Sequence, residues 1–162
     1  MSPRERNPAQ PVLFLDIDGV LNSGAYYKGL TDKGEGAESA VDHLDPAAIV
    51  HLNRLVAATG CEVVVSSTWR IKHELPRLWR MLRSRGYTGP HLIRKTPNFD
   101  GMMRQQEIAH WRQEHGKPAI YAILDDDPDA DDQSGRFVKT TFDEGLTSEL
   151  ADRVIALLTG KP

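Results

Sequence analysis

Val12-Leu13-Phe14-Leu15-Asp16-Ile17-Asp18-Gly19-Val20 is the stretch on which the reading of this 162-residue chain turns. Four apolar residues run without a break into two aspartates and a glycine. A continuous apolar run of strand length fits a strand buried on both faces, as in a parallel sheet covered by helices. Side chains two apart on an extended chain point the same way, so Asp16 and Asp18 can converge on one ligand at the strand tip. Two close carboxylates repel unless a cation or a shared proton compensates, and a hard cation such as magnesium suits oxygen ligands. Gly19 permits a sharp exit from the strand. Asp-Gly is equally a turn opener, so the segment alone leaves both readings standing.

Further strand-length runs occur at residues 62–65, 91–94, 119–124 and 136–140. Helical patterns lie between them. Asp45 is placed to cap a helix with Pro46 at its first position, Ile49, Leu52 and Val56 on one face, and Gly60 at its end. Leu75, Leu78, Trp79 and Leu82 mark a second helix, and Met103, Glu107, Ile108 and Trp111 a third. Thr147 caps a last one carrying Leu150, Val154, Leu157 and Leu158. The alternation predicts an α/β fold, a three-layer Rossmann-like arrangement of about five parallel strands with helices on both faces. One domain over residues 12–160 is expected, with residues 1–11, which hold three prolines, as a loose tail.

In such sheets ligands sit at the carboxyl ends of the strands. The second strand ends in Ser66-Ser67-Thr68-Trp69-Arg70. A hydroxyl there can donate to a phosphate oxygen, and the planar fork of Arg70 suits phosphate; a helix N-cap is the plainer use of the same hydroxyls. The fourth strand runs into Asp125-Asp126-Asp127, three adjacent carboxylates that are costly without a cation. An EF-hand reading fails, because Asp132 falls where glycine is needed and Val138 where the bidentate Glu belongs. Arg104 and Lys95 are the candidates for a cation that offsets the acids, a surface role being the alternative for each.

Taken in order, Asp16-x-Asp18-Gly19, Ser66, Arg104 or Lys95, and Asp125-Asp126 resemble the four motifs of the haloacid dehalogenase (HAD) superfamily. The wording of the segments is most similar to the capless phosphatase branch associated with RNA repair proteins and to polynucleotide kinase-phosphatase-like phosphatases. The resemblance implies that Asp16 attacks phosphorus and that Asp18 serves as general acid and then base. It implies magnesium held by Asp16, the Asp18 backbone carbonyl and Asp125, with Asp126 beside it. Ser66 and Arg104 would bind phosphoryl oxygens, with Ser66 preferred to Ser67 because it follows the apolar strand directly. The third motif is usually a lysine, which keeps Lys95 in consideration alongside Arg104.

The gap between the first motif and residue 44 is too short for a cap domain, so the site is expected to be open. An open site favours a large substrate such as an RNA or DNA end phosphate; a nucleotide or sugar phosphate is the alternative. Residues 70–95 hold eight Lys or Arg (70, 72, 77, 80, 83, 85, 94 and 95) against Glu74 alone, a patch able to follow a phosphate backbone or simply a solvated helix face. Trp69, Tyr26 and Tyr27 are candidate stacking residues, with core or rim roles as the alternative. A phosphoryl-accepting signalling module is disfavoured by motif order, since its lysine would come late, where this chain has acids. A net charge of −3 gives no general pull toward nucleic acid or membrane, and the single cysteine, Cys61, fits a reducing cytoplasm.

Overall fold

The computed structural model describes residues 5–34 and 39–161. Among them five parallel strands form one sheet: β1 (Val12–Leu15), β2 (Glu62–Val65), β3 (Arg94–Lys95), β4 (Tyr121–Asp125) and β5 (Phe137–Lys139), in the order β3-β2-β1-β4-β5. β1 and β2 match the expected runs. β3 is shifted past residues 91–93, because Val64 and Val65 of β2 are the residues that pair with it, opposite Arg94 and Lys95. β4 extends one residue further than its apolar run, which makes Asp125 its last residue.

Side-chain alternation divides β1 between two cores. Leu13 and Leu15 face α2 (Pro46–Thr59), α4 (Leu75–Ser84) and α6 (Ser148–Thr159), against Leu52, Leu78 and Val154. Val12 and Phe14 face α5 (Arg104–Glu114), against Ile108 and Trp111. Phe14 meets Trp111 edge-on at 5.2 Å between ring centroids. The α2 signals act as read: Asp45 accepts from the Ala47 N–H, Pro46 opens the helix, and Gly60 ends it at a φ of 63°.

Two helices carried no periodic signal. α1 (Gly24–Asp32) buries none of its residues, so no apolar stripe marks it, and α3 (Trp69–Lys72) is a single turn. Between β1 and α2 the described residues hold only α1 and a 3-10 turn at Ala40–His43, and no cap domain stands over the sheet. Residues 1–4 of the expected tail lie outside the described residues. Within residues 5–11 two side chains reach the domain: the buried Arg6 side chain, with Nε 3.0 Å from Glu62 Oε2, and Gln10, which donates to the Gly60 carbonyl. Cys61 is buried, which pushes its thiol up to about 11 and leaves it unreactive. Among the described residues no helix is long and apolar enough to cross a membrane.

Phe14 joins the sheet to the α5 layer. Phe14→Ala is expected to lower unfolding free energy by about 3–5 kcal/mol, read from denaturant midpoints at constant m.

Candidate active site

The chain passes from β1 to β2 and β3 on one side of the sheet, then crosses to β4 and β5 on the other. The switch between β1 and β4 is where open α/β sheets leave a crevice for ligands. Leu15 pairs with both Val65 and Leu124, so the next residues, Asp16, Ser66 and Asp125, stand level at the sheet's carboxyl edge. Carboxylate oxygens of Asp16, Asp125 and Asp126 lie within 4.8 Å of one another, and they are the one such group of potential metal ligands found among the described residues. Asp16 and Asp125 are buried.

Packing this much charge into a largely buried crevice shows in the acidities. Burial pushes Asp16 up to about 6, opposed by Arg104 and by the Ile17 N–H and Ser67 hydroxyl that bond its carboxylate. Burial, and then the charge of Asp16, push Asp125 up to about 8, although the Asp127 N–H donates to it at 2.9 Å. Asp126 also lies above its ordinary range, burial being the first cause. Its carboxylate rests on Gly19, where an added Cβ would come within 2.2 Å of Oδ2. Gly19 has a φ of 74°, so both the left-handed turn and the close approach require glycine.

Asp18 stands apart from this triad. It lies beyond the end of β1, where the strand's alternation no longer governs direction, and its exposed carboxylate accepts from Asn22 Nδ2 at 2.8 Å. Asn22 is itself buried, and its Oδ1 accepts the Gly19 N–H at 2.8 Å. One side chain thereby closes the loop and holds Asp18. Asn22 was visible in the sequence only as the end of Asp-Ile-Asp-Gly-Val-Leu-Asn, with nothing to mark its role.

Of the two cations left open, the structure brings Arg104 to the acids. Its Nη1 is 3.9 Å from Asp16 Oδ1, an ion-pair distance too long for a hydrogen bond. That Nη1 is buried with no hydrogen-bond partner among the described residues, and so is Ser66 Oγ. Two unspent donors beside Asp16 and level with it form a cradle suited to an oxyanion. Lys95 lies at the β3 edge, where Nζ donates to the Arg70 carbonyl at 3.3 Å and reaches toward Glu74.

Arg70, expected on the phosphate, is instead a buried brace. Its guanidinium donates to the carbonyls of Thr96, Ser67 and Pro97 and, at 2.7 Å, to the Glu107 carboxylate. Ser67, set second to Ser66, is the hydroxyl that bonds Asp16. Glu107 was read from sequence only as part of a helical stripe. It is buried between Arg70 and Arg104, its Oε2 4.0 Å from Arg104 Nε, and it orients both cations. An acid on the apolar face of a helix was the available signal. Trp69 is buried against the core, and the eight-cation patch is broken up: Arg94 pairs with Glu62, and Arg85 binds the Leu44 carbonyl and Tyr26.

The family of HAD domains in Swiss Army Knife RNA repair proteins matches residues 12–151, from β1 into α6. The chain belongs to this family. No curated protein and no solved structure matches it. For this HAD domain, membership gives the activity class, a phosphatase-type hydrolase, and the acid triad gives residues able to bind a metal.

A carboxyl whose folded pKa is raised keeps its proton where the unfolded chain has lost it, so its contribution to stability falls as pH rises. For Asp125 that window runs from about 4 to about 8. In chelator, melting temperature should fall across this window more steeply for the wild type than for Asp125→Asn. At pH 8 the variant should melt at least about 3 °C higher, the shift expected for ~1 kcal/mol in a chain of this size.

Proposed function

We propose that this HAD domain is a magnesium-dependent phosphomonoesterase that works through a phosphorylated Asp16 and acts on the end phosphate of a nucleic acid or another large ester. The observation that carries the reading is the convergence of Asp16, Asp125 and Asp126 at the β1/β4 switch, with the unpaired Arg104 and Ser66 donors beside them. The side chains fit the ion. Three carboxylates that burial and mutual repulsion hold protonated above their ordinary range are hard oxygen ligands short of positive charge.

Asp16, Asp125 and Asp126, with the Asp18 backbone carbonyl, would hold magnesium. Bound there, it supplies charge neutralisation that lets Asp16 ionise and offsets charge on the phosphoryl oxygens. Arg104 Nη1 and Ser66 Oγ bind those oxygens, where charge must be stabilised in the transition state. An Asp16 oxygen attacks phosphorus, the ester P–O bond breaks, and its electron pair leaves with the ester oxygen, which takes the proton from Asp18. Asp18, now ionised, takes a proton from water as the water attacks the phosphorus; the bond to Asp16 breaks and inorganic phosphate leaves. Asn22 holds one Asp18 oxygen and leaves the other to carry the proton. The uncapped crevice supports a large substrate, since no lid has to close over it.

Asp16→Asn is expected to abolish magnesium-dependent hydrolysis of p-nitrophenyl phosphate with unchanged circular dichroism; retained turnover would discard the nucleophile. Asn22→Ala should lower kcat on an alkyl phosphate about tenfold, part of the ~10²–10⁴ that positioned acid–base catalysis contributes. Formation of the phosphoenzyme from p-nitrophenyl phosphate, whose leaving group needs no proton, should change much less. Equal losses on both esters would make Asn22 a purely structural residue.

A further inference from the structure

Among the described residues, eight large apolar side chains are exposed. Five of them lie in the segments that leave the carboxyl ends of the strands: Ile71 after β2, Phe99, Met102 and Met103 after β3, and Phe142 after β5. Ile93 and Ile120 precede β3 and β4, at the opposite edge of the sheet, and Val50 is on α2. Most of the exposed apolar surface therefore lies at the carboxyl edge of the sheet, the edge that carries the acid triad.

Two of these side chains are flat rings held in place on either side of the site. The Phe99 N–H donates to Glu107 Oε1 at 3.2 Å, and the Phe99 ring is set edge-on to His110 at 4.9 Å between centroids. Glu107 also orients Arg104, so this ring has a fixed position relative to the cation beside Asp16. Met102 and Met103 complete that wall and lead directly into Arg104. On the other side the Phe142 carbonyl accepts the Gly24 N–H at 2.8 Å, and its ring lies 6.3 Å from that of Tyr27 at 31°. Tyr27 is held by a 3.2 Å contact between its hydroxyl and His43 Nδ1. Thr140, two residues before Phe142, donates to the Gly19 carbonyl at 2.7 Å, which holds this segment against the turn that follows Asp18.

We propose that these two walls are a nucleobase platform, on which Phe99 and Phe142 stack unpaired bases of a single strand whose end phosphate lies on Asp16. The proposal rests on the phosphatase reading and narrows its substrate to single-stranded ends. A nucleotide joins a phosphate to a flat, largely apolar base, and the site sets a phosphate cradle between flat apolar groups. Stacking is tolerant of sequence and is worth about a factor of 5 to 150 per base. The bases must be unpaired to offer their faces, which excludes a blunt duplex. Charge agrees: beyond Ile71 come the exposed Lys72, Arg77 and Arg80, in a stretch where Glu74 is the one acid between residues 70 and 95, a track suited to the following phosphates. Trp69 and Tyr26 are not available, the first being buried and the second bonded to Arg85.

The test uses the full chain with hexanucleotides phosphorylated at either end, the same strands made abasic in the terminal two positions, and a small alkyl phosphate. Wild type should show a KM about tenfold lower for a base-bearing strand than for its abasic counterpart. Phe99→Ala and Phe142→Ala should each remove most of that advantage while leaving turnover of a small alkyl phosphate, which has no ring to stack, unchanged, and Phe→Trp at either position should retain it. Fluorescence anisotropy of unphosphorylated strands should give the same order of affinities with no chemistry involved. Equal KM and equal anisotropy for abasic and base-bearing strands would overturn the platform even if hydrolysis is robust. Tighter binding of a phosphopeptide than of any strand, or a dimer in sedimentation that Phe99→Ala dissolves, would overturn it too. Absent hydrolysis of every ester with the anisotropy order intact would instead sink the phosphatase reading and leave the base platform standing.

Discussion

Three carboxylates held within 4.8 Å of one another, two of them buried, are the constraint on which the rest of this structure depends. Their repulsion is strongest where screening is weakest, and it sets the demand for positive charge that Arg104 meets only in part, from 3.9 Å. The surrounding architecture reads as ways of holding this arrangement. Parallel pairing of β1 and β4 fixes Asp16 beside Asp125 through backbone bonds that involve no side chain. Gly19 clears space for Asp126, and Thr140 clamps the same turn by donating to the Gly19 carbonyl at 2.7 Å.

A second layer keeps the cations in place. Glu107, from within α5, binds Arg70 and approaches Arg104, while Arg70 ties three carbonyls of the segments after β2 and β3 together. A buried ion pair of this kind is a poor source of net stability, because desolvation offsets much of the attraction. Its value here is orientation: with the Glu107 carboxylate committed on one side, the Arg104 fork keeps a free donor near Asp16.

The sequence was most legible where one physical pattern admitted one structure. The continuous runs of β1 and β2 reproduce to the residue, as do the Asp45, Pro46 and Gly60 signals of α2. β3 was misplaced because a two-residue edge strand is defined by what its neighbour offers, and residues 91–94 carry no information about that. α1 was invisible because it buries nothing. Within the site, the positions of Asp16, Ser66 and Asp125 at the strand tips could be read from the sequence, since they follow from the fold class. Asn22 and Glu107 could not be, because their importance lies in partners brought together only by the folded chain. Arg70 shows the converse. A guanidinium near a phosphate-binding strand end has the right chemistry for the ligand, yet this one is spent on backbone carbonyls.

The order of the strands also bears on how the molecule is made. The strand that delivers Asp125 follows Asp16 by roughly a hundred residues, and β2 and β3, which lie on the far side of β1, are synthesised in between. Until β4 slots in, one edge of β1 is unpaired and the crevice has a single wall. Assembly of the acid triad is thus a late event that depends on the longest-range pairing in the sheet. A nascent chain has Asp16 long before it has Asp125, so the triad and the completed sheet arrive together.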